Sequence, residues 1–271
     1  LQLHFWQSIE NVIGIDQTGA VLSNGKPKPL FACVIQKNKR KPKLFANLRL
    51  SHLNESAIKQ TMSELELTGP TLVLVDSVLG LPFELDADFE KIIQAVKDFH
   101  VSGRLYGADT AVSFFRTFVS PQQIENSDYP SRVAEELAGA NSVFRLMPYQ
   151  RNIGCGSYRV LKDLAQDLTW FSVWPFEKNP QKNFVIAEGY PSLYWREILG
   201  SSRRQSEKLN SFLEKNFQFA CLPKTSDDSD AAILAVAGLH YLQTGFFNSL
   251  RLPPEHMREG WIVGLPPAGA P

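Results

Sequence analysis

Three short apolar runs in this chain each close on an acid: NVIGID at 11–16, TLVLVD at 71–76 and NFVIAE at 183–188. The middle run is continuous rather than alternating and follows Gly69-Pro70, the pattern of a central strand covered on both faces. An acid at the end of such a strand lies beyond the carboxyl edge of a sheet, where open α/β folds place their sites. Two further runs, LFACVIQ at 30–36 and LFANLRL at 44–50, flank the polar KNKRKPK segment with its Pro42 and predict an antiparallel hairpin. Helices are expected after Asn54, where Ala57, Ile58, Met62, Leu65 and Leu67 supply an apolar face, over 89–99, after Pro191, and over about 226–242. The order strand, hairpin, helix, strand, helix, strand, helix predicts an α/β fold with a mixed sheet and flanking helices. No linker divides the 271 residues, so 1–271 reads as one domain, with 103–182 as an inserted, mostly helical region carrying helical patterns near 131–137 and 158–168.

Charge narrows the function classes. The 28 Lys and Arg balance 28 Asp and Glu, which excludes a bulk polycation. The longest apolar runs, 71–75 and 231–239, are far shorter than the roughly 20 residues that span a bilayer, so no membrane partner is expected. The opening LQLHFWQSIENV lacks a basic segment followed by an apolar one, and a cytoplasmic location is the expectation. Cys33, Cys155 and Cys221 are odd in number and distant, which argues against a disulfide framework or a zinc site and for buried roles.

The candidate chemistry lies in the acids. Asp16, Asp76 and Glu188 end strands, while Asp227 and Asp230 stand three residues apart in SDDSDAA, on one face of a first helical turn. Brought together they would be hard oxygen ligands for Mg²⁺ or Mn²⁺, because clustered carboxylates repel unless a cation neutralises them. The competing reading is capping, by Asp227 or Asp228 of their own helix and by Glu188 of the helix after Pro191. The hairpin residues Lys37, Lys39, Arg40, Lys41 and Lys43, with Arg203 and Arg204, are candidates for phosphate contacts, the alternative being a solvated turn and a solvated helix start. The stretch RNIGCGSYR is read as a loop whose Gly154, Gly156 and Ser157 could form an anion nest beside Arg151 and Arg159, or as a tight turn into the next helix. His240 and the aromatics of WPF at 174–176 are expected in the core.

These segments resemble the RNase H-like superfamily, in which a first strand and a fourth strand end in acids and a late helix carries another. DDSDAAILAVAGLH at 227–240 looks like the DxxDAxAxA helix of RuvC-type resolvases. More closely, the chain is similar to the predicted RNase H-like nucleases known as domain of unknown function 429. The matching segments are IGID at 13–16, VDSVLGLP at 75–82, SVFRL at 142–146, GCGSYR at 154–159, WPF at 174–176, EGYP at 188–191, DDSDA at 227–231 and EGW at 259–261. The resemblance implies a five-stranded mixed sheet with the insertion between strands four and five. It also implies a two-metal phosphodiester hydrolase acting on nucleic acid or another phosphoester, with Asp16 bridging, Asp76 and Asp230 flanking, Asp227 in support and Glu188 as a fifth candidate. Two rivals remain: a non-catalytic adaptor for nucleic acid or protein on the same fold, and an actin-like phosphotransferase. The latter is disfavoured because Asp16-Gln17-Thr18-Gly19 misplaces the glycine of a DxGxT phosphate loop. Oligomeric state is left open, a homodimer included.

Overall fold

The computed structural model describes the chain except residues 1, 18–25, 38–39, 101–104, 127, 146–152, 178–179, 220 and 268–271, and the side chains of 2–4. In chain order the elements are α1 (Gln2–Ser8), β1 (Asn11–Asp16), β2 (Leu30–Gln36), β3 (Lys43–Leu50), α2 (Glu55–Glu64), β4 (Thr71–Asp76), α3 (Phe89–Asp98), α4 (Ala108–Arg116), α5 (Pro121–Glu125), α6 (Val133–Ala138), α7 (Ile153–Asp167), β5 (Phe171–Trp174), β6 (Phe184–Gly189), α8 (Pro191–Glu197), α9 (Ser206–Asn216), β7 (Gln218–Phe219), α10 (Ser226–Gln243), α11 (Phe246–Ser249) and α12 (Pro254–Glu259).

The strands form one mixed sheet in the order β5-β6-β4-β1-β2-β3-β7. Only the β1–β2 and β2–β3 pairings are antiparallel; β1–β4, β4–β6, β5–β6 and β3–β7 are parallel. Among the described residues the sheet therefore has seven strands where five were expected. β5 arises inside the region read as a helical insertion and pairs with β6, and the two-residue β7 pairs with β3. Both extra strands lie at the edges, and their shortness is why no periodic pattern announced them.

The sheet is covered on both faces. Ile13, Ile15, Val73, Val75 and Ile186 face a core shared with α2, α3, α4 and α7, while Val12, Leu72, Leu74, Val185 and Ala187 face one shared with α8 and α10. α10 is apolar around most of its circumference and its residues 228–239 are all buried, as expected of a helix enclosed in a core. Its seat is set by Gly14. A Cβ there would lie 2.1 Å from the Ala231 carbonyl oxygen and 2.4 Å from the Ala235 nitrogen, so only glycine lets the helix backbone rest on β1. Gly238 meets Val12 in the same way, with 2.6 Å to its Cγ1. The helix thus runs back along β1 from its carboxyl end, and Asp230, one residue before Ala231, is delivered beside Asp16.

Candidate functional site

Strand register decides which acids meet. Ile15 pairs with Val75, so Asp16 and Asp76 end adjacent parallel strands. Side chains alternate along a strand, so Asp16 follows Val12 and Gly14, and Asp76 follows Leu72 and Leu74, toward the face that α10 covers. Asp16 is 6% exposed and Asp230 is fully buried. The Asp16 carboxyl is pushed up to about 9, first by burial and then by the charges of Asp76, Asp230 and Asp227. Asp76 is pushed up to about 7, again chiefly by burial and then by Asp230 and Glu188, while a hydrogen bond from Asp16 opposes the rise. The two carboxyls are thus electrostatically linked across the ends of adjacent strands.

Asp230 is placed differently. Its Oδ1 accepts from Trp195 Nε1 at 2.8 Å and from Arg204 Nε at 3.0 Å, and Arg204 Nη2 closes on its Oδ2. Burial raises its carboxyl despite these partners. Asp227 is partly buried, accepts a hydrogen bond from Ser226 Oγ at 3.1 Å, and its charge is felt by Asp16 and Asp230. Capping of α10 falls to its neighbour: Thr225 Oγ1 accepts from the Asp228 amide at 3.1 Å, and Asp228 Oδ2 accepts from the Thr225 amide at 3.1 Å. Asp228 is also held by Arg49, Nη1 to Oδ1 at 2.6 Å.

Glu188 takes the other face. Val75 is its partner across the β4–β6 ladder and Gly189 is the partner of Asp76, so alternation turns Glu188 away from the face of Asp16 and Asp76. Its carboxylate is saturated: Arg132 Nη2 donates to Oε1 at 2.6 Å, and Arg132 Nη1 and the Leu79 amide donate to Oε2 at 2.8 and 3.2 Å. It remains near enough to raise the Asp76 pKa.

Several cationic and glycine candidates lie elsewhere. The β2–β3 turn, with Lys37, Arg40, Lys41 and Lys43, is at the opposite end of the sheet from the acids, because Gln36 pairs with Asn11 whereas Asp16 pairs with Phe31. Lys37 and Lys41 there reach backbone carbonyls of Ile9 and Glu214. Lys39 and Arg151 fall outside the described residues. The expected anion loop is instead the first turns of α7, a correction with a packing reason. Gly154 is buried within the helix, and at Gly156 a Cβ would collide with the Gln17 side chain. Ser157 Oγ accepts from the Val78 amide at 2.8 Å and donates to the Ile153 carbonyl at 2.8 Å. Arg159 is buried and donates to the carbonyls of Lys28 and Ser51, tying the start of β2 to the end of β3. Arg203 is exposed, its amide donating to Ser201 Oγ at 3.4 Å. Of the basic candidates among the described residues, Arg204 is the one that joins the carboxylates.

Other expectations fare unevenly. Cys33 and Cys155 are buried, Cys221 is partly so, and none forms a disulfide. Trp174 is buried and Phe176 stacks on Phe89 at 4.5 Å, whereas His240 is exposed, its ring edge-on to Tyr241. Four residues that sequence reasoning passed over shape this edge: Trp195, Arg49, Arg132 and His52. His52 Nδ1 stands 3.1 Å from Asp163 Oδ1, a contact that raises the imidazole pKa. Only Arg49 had a local signal, an arginine inside an otherwise strand-like run.

The donors suit a hard divalent cation in kind, being oxygen only, buried or half-buried, and mutually repelling. Among the described residues no three His, Cys, Asp or Glu side chains already stand as a ligand set, and Asp230 is turned to Trp195 and Arg204. No helix is long and apolar enough to cross a membrane among the described residues. In comparisons with known proteins, no family model, no curated protein and no solved structure matches the chain.

Proposed function

We propose that this protein is a metal-dependent phosphodiester hydrolase on an RNase H-like framework, with Mg²⁺ or Mn²⁺ as cofactor and nucleic acid as the first substrate class to test. The observation that carries the reading is the pair Asp16–Asp76 on adjacent parallel strands with Asp230 brought to them by α10. Burial and mutual repulsion lift two carboxyls of that group to about 9 and 7. A purely structural site gains nothing from acids held at such values, whereas a cation would relieve them. The strand run β6-β4-β1-β2-β3 within the sheet supports the RNase H-like framework.

In this reading Asp16, Asp76 and Asp230 hold the metal and Asp227 adds negative charge at the rim. Bound ions would lower the pKa of a water and stabilise the leaving oxygen. The chain's own part is positioning. The Gly14–Ala231 contact sets the distance between α10 and β1, and the Trp195 indole orients the Asp230 carboxylate. The Glu188–Arg132 pair anchors the end of β6 behind Asp76.

Cleavage of single- and double-stranded DNA, RNA and a branched junction, each with Mg²⁺ and with Mn²⁺, tests the proposal. Asp16→Asn should lower any metal-dependent rate by about 100-fold or more, since it removes a ligand shared by the whole site. Equal rates in the two proteins, or none on any substrate, would remove the nuclease reading. The adaptor reading draws on one specific contact, the Arg204–Asp230 ion pair, which neutralises part of the cluster without metal. Salt-sensitive nucleic-acid binding without cleavage would favour it.

A further inference from the structure

Between α8 and α9 the chain runs through residues 198–205 without regular structure. Its course is set locally: the Gly200 amide donates to the Arg196 carbonyl at 3.0 Å, Gly200 adopts φ +58°, and Ser201 Oγ donates to the Arg203 carbonyl at 2.6 Å. Arg204 leaves the exposed 202–205 part of this segment and reaches inward. Its side chain is 57% exposed, yet its guanidinium grips a carboxylate that is fully buried. Its Nε donates to Oδ1 and Nη2 stands in ion-pair contact with Oδ2, and the charge is felt by Asp16 and Asp76 as well. One guanidinium therefore serves three carboxylates.

An exposed arginine ordinarily gains little from an ion pair, because it sacrifices side-chain freedom and is screened by water. Here the geometry is bidentate and the acceptor is desolvated, which makes the contact a strong one. The acceptor cannot be abandoned, since an unpaired buried carboxylate is costly. Among the described residues, two other cations of this edge are committed elsewhere. Arg49 is paired with Asp228, and Arg159 is bound to two backbone carbonyls. Among the described cations of this edge Arg204 is the one placed to leave, because its side chain is more than half exposed and the bonds that tie its segment to α8, from the Gly200 and Ser201 amides, lie upstream of it.

We propose that Arg204 is a displaceable counter-ion that competes with the divalent cation for Asp230, so that metal entry requires the 198–205 segment to release the carboxylate. The proposal rests on the metal reading above. It makes the empty and loaded forms alternatives: arginine on Asp230, or metal on Asp230 with the guanidinium freed at the rim of the site. Trp195 Nε1 keeps its hydrogen bond to Oδ1 in the first form and fixes the carboxylate for the exchange.

Calorimetric titration of Mn²⁺ into the full chain tests this without reference to activity. Wild type, Arg204→Gln and Arg203→Gln are compared. The two variants lose the same charge from adjacent positions, but only the first loses the competitor. Arg204→Gln should bind Mn²⁺ about tenfold more tightly, and Arg203→Gln within about threefold of wild type. Methylguanidinium should then weaken Mn²⁺ binding to Arg204→Gln competitively and leave wild type little changed. Binding by Arg204→Gln alone would be the strongest support. Equal or weaker binding by Arg204→Gln would overturn the counter-ion proposal and leave the metal reading standing. Absence of binding in all three proteins would overturn both.

Discussion

Two groups of buried charge lie within a few residues of each other at the ends of β4 and β6, and they are built on opposite terms. In the first, Arg132 is fully buried and engages Glu188 through both terminal nitrogens, Glu135 through Nε at 3.2 Å and the Glu259 carbonyl at 3.3 Å. Glu259 in turn accepts from the Phe83 and Val133 amides at 2.8 and 3.1 Å. In the second, Asp16 and Asp76 feel the charge of Asp230, which is itself turned to Trp195 and Arg204. The first group ties α6, α12, β6 and the loop after β4 into one body. The second leaves carboxyls protonated well above their ordinary range. Burial is common to both, so what separates a structural acid from a candidate ligand is the supply of donors.

The contrast breaks most readily at Arg132. Arg132→Met leaves Glu188 and Glu135 buried without their cation, and should cost about 3–5 kcal/mol, measured as a lower urea midpoint with an unchanged slope. A cost below about 1 kcal/mol would mean that the network is not holding these elements together.

The opposite sign is expected at the other cluster. A carboxyl whose folded pKa stands near 9 keeps a proton that the unfolded chain has already lost above pH 4. Metal-free stability from this group is therefore fully present below about pH 4 and is lost progressively as pH rises toward 9. Asp16→Asn removes the dependence. In a chelator it should be more stable than wild type by about 1–3 kcal/mol at pH 8, with the gap narrowing at pH 5, as denaturant titrations at the two values would show. A variant less stable than wild type at pH 8 would place Asp16 with the structural acids.

A smaller effect sharpens the same comparison at the start of α10. Thr225→Ala removes the hydroxyl of the capping box and should cost about 1 kcal/mol in thermal or chemical unfolding. Mn²⁺ affinity should change little, because Asp228 rather than Asp227 or Asp230 answers the cap. A marked loss of Mn²⁺ affinity would show that the cap positions the carboxylates.

Much of the framework is legible in the chain. The buried strands, the β2–β3 hairpin and the long late helix are all marked by period and punctuation, and the chain order of elements implies a mixed sheet. Glu188 shows where that reading stops. It ends a strand as Asp76 does, yet the pairing of Val75 with Glu188 gives the two acids opposite parity, and no local pattern encodes a register. Gly154 and Gly156 read as a turn because glycine disfavours helices; inside α7 the second is needed for the approach of Gln17, a contact between distant segments. The basic hairpin reads as a phosphate grip until the antiparallel pairing of β1 and β2 carries it to the far end of the sheet.

The sequence by itself determined the elements and the residue types available at the carboxyl edge, because hydrophobic period, glycine and proline act over a few neighbouring residues. It determined as well that Asp16 and Asp76 would be desolvated, since each closes a run of apolar residues. Tertiary structure alone decided which acids were neutralised and by what. Arg132 lies 56 residues from Glu188, and Arg204 lies 26 from Asp230. Whether a buried carboxylate is saturated or left wanting a cation depends on donors brought from such separations by the packing of whole helices against the sheet.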